Sequence, residues 1–175
     1  MAYSLILPVK IAAQNIDSLN RSAVCAVDVE NGFVGYFSAK STTAGEGEVW
    51  TFTAPITGKL TNNWMVYEPE VVLTDEKYKG IDADPRNFII PDGEIFSVFL
   101  PRIGDLILMS EDAVTGTKGA NTFVVSTNTA TQLTWTTAAV TGLSLKLIET
   151  SYISIGTGGI DTQRIVMYLF ECQAV

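Results

Sequence analysis

Histidine is absent from this chain of 175 residues, and cysteine occurs only twice, at Cys25 and Cys172. The side chain that most often moves protons near neutral pH, and most often binds transition metals, is therefore missing. A serine nucleophile activated by a histidine base is excluded for the same reason. Carboxylates, tyrosine and lysine remain as catalytic groups. We predict that the protein is not an enzyme, and we expect no cofactor and no metal site.

Disulfide scaffolds and membrane-spanning runs are also missing. Two cysteines near opposite ends do not form a disulfide framework; each is interpreted as a small buried side chain, and a single bridge between them stays open. The apolar run at residues 5–13 contains a proline and a lysine and is too short to cross a bilayer. No basic segment precedes it, as a signal peptide requires. We expect a soluble protein made in the cytoplasm.

Charge is scarce and unevenly placed. Charged residues make up 17% of the chain, against about 25% in an average soluble domain. Eleven acidic and four basic residues lie between Glu68 and Asp112, which gives that third a net charge of −7 out of −8 for the whole chain. No basic patch is available to neutralise phosphates, so we predict neither nucleic-acid binding nor binding to an anionic membrane.

Short apolar runs separated by turn residues fill the rest of the chain. Residues 48–53 alternate, with Trp50 and Phe52 on one face and threonines on the other, which is the period of a half-buried strand. The pair Asn31-Gly32 predicts a tight turn that joins residues 22–29 and 33–38 into a hairpin. Such regularly spaced strands predict a mostly β fold, a single β-barrel or β-sandwich-like domain with little helix.

The second half of the chain continues this pattern. The turn at residues 101–104 joins two runs that are apolar on both faces, which predicts a central strand pair. Residues 74–80 are the best candidate for a short helix, because Thr74 caps it and Gly80 ends it. The other predicted strands are residues 64–67, 70–73, 94–100, 105–110, 122–126, 132–136, 143–149, 152–155 and 164–170.

The first 20 residues read as an extended N-terminal arm, because Pro8 forbids a regular helix or a central strand. The arm is either a terminal strand of the domain or a tether to a partner. We therefore divide the chain into an arm at residues 1–20 and a β-rich domain at residues 21–175, with an insertion around residues 68–92 as an open alternative.

Several local patterns suggest chemistry but have simpler structural interpretations. The glycine-rich residues 156–159 lack the lysine of a phosphate loop and are predicted to be a turn. The spacing of Asp82, Asp84, Asp92 and Glu94 does not match a calcium-binding EF-hand loop, and we interpret these residues as a solvated acidic face or as a surface that pairs with a basic partner. Arg102 is interpreted as a turn stabiliser that holds Asp105.

The remaining candidates are carboxylate pairs for glycoside hydrolysis, Glu68 with Glu70 and Glu111 with Asp112. Trp50, Trp64 and Trp135 are interpreted as core or interface anchors.

Two segments resemble the capsid decoration (head-stabilising, cement) proteins of tailed bacteriophages. They are SLNRSAVCAVDVENGFV at residues 18–34 and IPDGEIFSVFLPRIGDLILMSEDA at residues 90–113. The apolar arm before them and the threonine-rich strands after them follow the same layout. The resemblance implies a small β-rich structural protein on the outer surface of the virion capsid, with the major capsid protein as partner and a homotrimer as the expected assembly.

The resemblance also implies how the arm would bind, by adding a strand to a sheet of the capsid protein. In that mode the backbone pairs with an exposed edge and alternate side chains fill pockets. The predicted partner-binding residues are Tyr3, Leu5, Ile6, Leu7 and Val9, with Ile6 on the opposite face from the leucines. The alternatives are another virion component, such as a tail or head-fibre module, and a carbohydrate-binding or carboxylate-dependent hydrolase domain.

Overall fold

The computed structural model describes residues 3–43, 45, 47–68, 72–73, 81–82, 85–155 and 163–175. These residues form an open seven-stranded sheet, a closed five-stranded barrel and a separate two-stranded pair. Helical structure in the described part is limited to short 3-10 turns. The prediction of a mostly β fold with little helix is confirmed, and a barrel is part of it. The 3-10 turns are Ala12–Gln14, Asp17–Leu19, Pro85–Asn87 and Glu111–Ala113.

The seven-stranded sheet takes its strands from the start and the end of the chain. Its order is β1-β9-β14-β13-β11-β12-β10, and every neighbouring pair is antiparallel except β10 with β12. The strands are β1 (Ile6–Lys10), β9 (Leu106–Ser110), β10 (Val114–Thr115), β11 (Phe123–Val125), β12 (Leu133–Thr136), β13 (Ser144–Ile155) and β14 (Gln163–Ala174).

The barrel is built from the middle of the chain. Its order is β2-β4-β3-β5-β8, and β8 pairs with β2 to close it. Only β2 and β4 run parallel. Its strands are β2 (Asn20–Val24), β3 (Val34–Lys40), β4 (Val49–Thr53), β5 (Trp64–Val66) and β8 (Ile95–Phe99), and the separate pair is β6 (Val72–Leu73) with β7 (Ile81–Asp82).

The predicted hairpin around Asn31-Gly32 is wrong in its pairing. The turn exists, and Gly32 has a φ of 86°, which favours glycine. However, β2 ends at Val24, and β4 lies between β2 and β3 in the barrel. Val29 bridges to Ile90 instead of extending β2. A turn signal fixes local geometry only, and the neighbours of each strand are decided by long-range packing.

The predicted central strand pair around residues 101–104 is also wrong. Gly104 has a φ of 91° and forms the expected turn, but β8 belongs to the barrel and β9 to the seven-stranded sheet. Both strands are apolar, and each buries its side chains against a different set of neighbours. The turn therefore carries the chain from one β unit to the other.

One wall of the barrel shares a hydrophobic core with the sheet. Val34, Met65 and Phe99 on the barrel strands belong to the same buried cluster as Ile107 and Phe170 of the sheet. A second cluster fills the barrel interior and includes Ala23, Phe52, Val66, Phe96 and Val98. The barrel thus has an inner core of its own and an outer wall that packs on the sheet.

Most of the other predicted strands are present in the described part of the chain. Residues 143–149 and 152–155 join into the single long strand β13, and the final predicted strand extends to Ala174 as β14. Cys25 and Cys172 are both free thiols, so no bridge links them. The helix predicted at residues 74–80 lies outside the described residues.

Candidate functional site

The N-terminal segment forms the terminal strand of the sheet, which is the first of the two alternatives for the arm. Ile6–Lys10 pairs with β9, and the backbone N–H of Tyr3 donates to the carbonyl of Arg86 at 2.8 Å. Leu5 and Ile6 are 2% and 0% exposed, because they pack into this chain's own core. The predicted role in binding a partner stays a prediction for all five residues of the segment; of the other three, Tyr3 and Leu7 are half-buried and Val9 is exposed.

The outer edge of β1 is poorly suited to pair with another strand. The carbonyl of Leu5 accepts from the Ser110 N–H of β9 at 2.8 Å. Hydrogen-bonding groups alternate along a strand, so the backbone groups of Ile6 and Pro8 face the outer edge. Proline has no N–H, and a proline at this position is a common device that protects an edge strand.

The turn before β9 is held by the carboxylate of Asp105. Its Oδ2 accepts from the backbone N–H of Arg102 at 2.8 Å, and its Oδ1 accepts from the backbone N–H of Ala12 at 2.9 Å. Arg102 was expected to hold Asp105, and it does so through its backbone, while its side chain is exposed. Asp105 is 5% exposed. Its two hydrogen bonds join the N-terminal segment to the turn that connects the barrel with the sheet.

Aromatic side chains from three strands stack at the barrel. Phe37 of β3 lies between Trp50 and Trp64, with ring centroids 5.5 Å and 4.7 Å apart, and the guanidinium of Arg21 lies 5.9 Å from the Trp64 ring centre. All four are half-buried, and their cross-strand register puts them on the inward side of the barrel. We name these four residues the aromatic stack. The Trp64 ring is stacked on Phe37 and lies near the Arg21 guanidinium, and these contacts leave less of its surface open to a sugar.

The remaining candidates are exposed, bound to backbone groups or outside the described residues. The Glu68 carboxylate accepts from the Ser97 backbone N–H at 2.7 Å, and Glu111 and Asp112 are exposed. Asp92 and Glu94 are exposed as well, whereas Glu70, Asp84, the side chain of Asp82 and residues 156–159 lie outside the described residues. Within the described residues, no three His, Cys, Asp or Glu side chains form a group that could hold a metal ion.

Cys172 is a buried thiol close to a carboxylate, and its environment suppresses its reactivity. Burial raises the pKa of its thiol to about 12, and the nearby Asp105 carboxylate adds to this rise. Burial also raises the pKa of Tyr168, with a further contribution from Glu111. A thiol must lose its proton to act as a nucleophile, so Cys172 is inert near neutral pH.

The cavities of the described part are small or open. One lies between the N-terminal segment and the barrel, has a volume of about 200 Å³, and is lined mainly by apolar groups that include Ile11, Tyr67 and Phe99. This is below the usual range of small-molecule sites, which is about 300–1,000 Å³. A second, polar depression beside Arg21 and Glu48 is wide open to solvent.

The most prominent surface feature is the end of the β13–β14 hairpin. The last pair between β14 and β9 is Met167 with Ser110, and the last pair between β13 and β11 is Lys146 with Phe123. Beyond these pairs, residues 152–155 and 163–166 pair only with each other among the described strands. We name these two segments the ribbon. Four residue pairs give it a length of about 13 Å.

The ribbon is apolar and almost uncharged. Tyr152 is 48% exposed, and Arg164, its only charged residue, lies over the Tyr152 ring with 3.8 Å between the guanidinium carbon and the ring centre. Arg86 donates from its guanidinium to the Gln163 side-chain oxygen at 2.7 Å. Sequence reasoning missed the ribbon, because it treated residues 143–149 and 152–155 as separate strands. Residues 149–151 are all polar, so the sequence carries no alternation that would have joined the two strands.

No protein-family model matches the chain, and no curated protein or solved structure matches it either. Among the described residues, no helix has the length and apolar character needed to cross a membrane.

Proposed function

We propose that this protein is a structural component of a bacteriophage virion that binds the outer surface of the capsid and stabilises the expanded shell. The observation that carries the proposal is the ribbon, a two-stranded projection with one charged residue, Arg164, that has no partner among the described strands of its own chain. Interface centres are depleted of most charged residues and enriched in tyrosine and arginine, and Tyr152 and Arg164 pack against each other on the ribbon.

Two further features support a binding role. The segments at residues 18–34 and 90–113, which resemble capsid decoration proteins, supply β2, the start of β3, β8 and β9. Several titratable groups of the described part serve the fold: the Asp105 and Glu68 carboxylates accept backbone N–H groups, and the Cys172 thiol is buried with a raised pKa. The proposal therefore includes the absence of enzymatic activity, with the major capsid protein as partner and a homotrimer as the assembled form.

Stabilisation of the shell follows from mass action. A protein that binds the expanded lattice and not its precursor shifts the equilibrium towards the expanded form. Many copies bound to one shell add avidity through their neighbours.

The test is cosedimentation of the purified protein with empty expanded shells and with unexpanded precursor shells of the phage. We expect binding to expanded shells alone and a higher temperature of shell disruption. Absence of binding to expanded shells would contradict the proposal. Deletion of residues 1–12 is not a suitable variant, because it removes β1 and the buried Leu5 and Ile6.

A further inference from the structure

We infer that the outer edge of β13 binds an extended, uncharged segment of the partner protein by β-strand addition. This inference rests on the proposed function and names how the ribbon binds the shell. The edge consists of residues 149–155, which we name the free edge. The last contact before it is the Leu147 N–H, which donates to the Thr122 carbonyl at 2.8 Å. Beyond that point, no described strand pairs with this side of β13.

The two terminal strands of the same sheet, β1 and β10, have protected outer edges, and the free edge does not. Pro8 removes a donor from the outer side of β1, and β10, the opposite edge strand, has only two residues. The free edge has neither proline nor lysine, and no residue from Thr150 to Ile155 is charged. Natural proteins usually block long exposed edges with such residues. A seven-residue edge whose one charged residue is Glu149 at its start, about 23 Å long, indicates a strand that is covered by a partner.

The register identifies which backbone groups are available. The Cys172 N–H donates to the Asp105 carbonyl, and the Cys172 carbonyl accepts from the Gly104 N–H. The backbone N–H and C=O groups of even-numbered residues of β14, from 172 downwards, therefore point towards β9, and those of odd-numbered residues point towards β13. Ser151 is opposite Met167, and Ile153 is opposite Ile165, so their backbone groups bond to β14. The backbone groups of Thr150, Tyr152 and Ser154 consequently face outwards. The register shifts by one residue between Leu147 and Glu149, so Leu147 is opposite the even-numbered Phe170. Its N–H therefore also points outwards, where it donates to the Thr122 carbonyl.

The side chains specify the chemistry of the occupant. Thr150, Tyr152 and Ser154 are exposed on one face, and Ser151, Ile153 and Ile155 are half-buried on the other. A charged side chain on the incoming strand would lose water without gaining an opposite charge along residues 150–155. The occupant is therefore an extended segment of the shell protein with alternating apolar and hydroxyl side chains, joined mainly through its main chain.

A pair of variants at Ser154 separates main-chain pairing from side-chain contact. Ser154→Pro removes one outward N–H, and Ser154→Ala keeps that N–H while removing the hydroxyl. In cosedimentation with expanded shells, we expect Ser154→Pro to bind at least tenfold more weakly than wild type and Ser154→Ala to bind normally. Circular dichroism and thermal unfolding check that the proline variant remains folded, since proline is tolerated on edge strands.

Hydrogen exchange on the wild-type protein gives a readout that needs no variant. In the free protein, the amides of Thr150, Tyr152 and Ser154 should exchange fast, and those of Ser151 and Ile153 slowly. On expanded shells, the three fast amides should become protected. Protection of all five amides in the free protein, or equal shell binding by both Ser154 variants, would overturn strand addition and leave the proposed function standing. Failure of the wild-type protein to bind shells would overturn both.

Discussion

Asp105 links three parts of this fold through its side chain and its backbone. Its carboxylate accepts two backbone N–H groups, from Ala12 and Arg102, and its backbone carbonyl accepts from the Cys172 N–H at 2.9 Å. The N-terminal segment, the crossing turn and β14 therefore meet at one residue. Buried donors that lose their acceptor cost more free energy than the hydrogen bond itself contributes.

Asp105→Asn should lower the free energy of unfolding by about 2 kcal/mol, because an amide offers one acceptor oxygen where the carboxylate offers two. One of the two N–H groups would then face an NH₂ group. Urea unfolding measures the change. Asp112→Asn, at an exposed position, is the control and should change stability by no more than about 0.5 kcal/mol. Equal effects of both variants would contradict this role of Asp105.

Cys172 predicts how stability depends on alkaline pH. Its pKa is raised in the folded protein from 9.0 to about 12, so the unfolded thiol loses its proton first as the pH rises. The free energy of unfolding should be unaffected below pH 9 and fall between pH 9 and 12. The raised pKa of Tyr168 acts in the same direction above pH 10. Urea unfolding at a series of pH values measures the slope.

The matching variant is Cys172→Ala, which should be less stable overall but should show a shallower fall across that alkaline range. Cys25→Ala controls for the loss of a thiol. An unchanged slope in Cys172→Ala would show that this thiol does not cause the pH dependence.

At the scale of elements, the aromatic stack joins four of the five barrel strands. Trp50, Phe37 and Trp64 come from β4, β3 and β5, and Arg21 comes from β2, which is not a neighbour of β5 in the barrel. The contact between Arg21 and Trp64 therefore reaches across the barrel rather than along a strand pair. Offset aromatic pairs add about 0.5–1.5 kcal/mol beyond the area that they bury.

Phe37→Ala should lower the free energy of unfolding by about 2 kcal/mol, less than a fully buried Phe-to-Ala change because Phe37 is half-buried. Both tryptophans lose their common neighbour, so the emission of the folded protein should shift to longer wavelength. Phe37→Leu, which restores most of the apolar volume but not the ring, should recover part of the stability. An unshifted emission in Phe37→Ala would contradict the stacking.

Individual elements were largely predictable from sequence, but their partners were not. The alternation of Trp50 and Phe52 gave β4, and the turns at Gly32, Gly93 and Gly104 all have positive φ. Alternation and turn chemistry depend on neighbouring residues, which sequence displays directly. The pairing of β2 with β4 and β8, and the meeting of Trp50 with Trp64, depend on contacts between residues far apart in the chain. No single-sequence pattern records those contacts.

At the scale of the molecule, the barrel and the sheet share a buried wall. Val34 and Met65 of the barrel are both fully buried in the cluster that contains Ile107, Leu145 and Phe170 of the sheet. Loss of either unit exposes this surface on the other. Burial of this kind couples the stability of two units into one transition.

Tryptophan variants test this coupling. Trp135→Phe leaves Trp50 and Trp64 as reporters of the barrel, and the double variant Trp50→Phe, Trp64→Phe leaves Trp135 as reporter of the sheet. In each variant, the fluorescence midpoint in urea should coincide with the far-UV circular dichroism midpoint, which follows both units. Met65→Ala, combined with either set, should lower both midpoints together. Separate midpoints in either variant would show that the units unfold independently.

The candidate site was less predictable than the fold. The resemblance implied that Leu5 and Ile6 bind a partner, and both side chains are buried in this chain. An apolar strand that faces a partner and one that faces its own core have the same composition. The free edge was hidden for a related reason: the sequence does not say where a neighbouring strand stops. β11 ends after three residues, whereas β13 continues to Ile155.

The position of β14 bears on how the chain is synthesised. β14 lies between β9 and β13, and both precede it in sequence. While a ribosome is still translating the segment before Gln163, all five barrel strands have already been synthesised. β9 and β13 cannot yet join into one sheet, because β14, the strand that pairs with both, has not been made. The nascent chain would carry a finished barrel beside two unjoined half-sheets whose apolar strands await their common neighbour. Premature termination before that strand would leave a product with exposed apolar strands, which chaperones and proteases recognise.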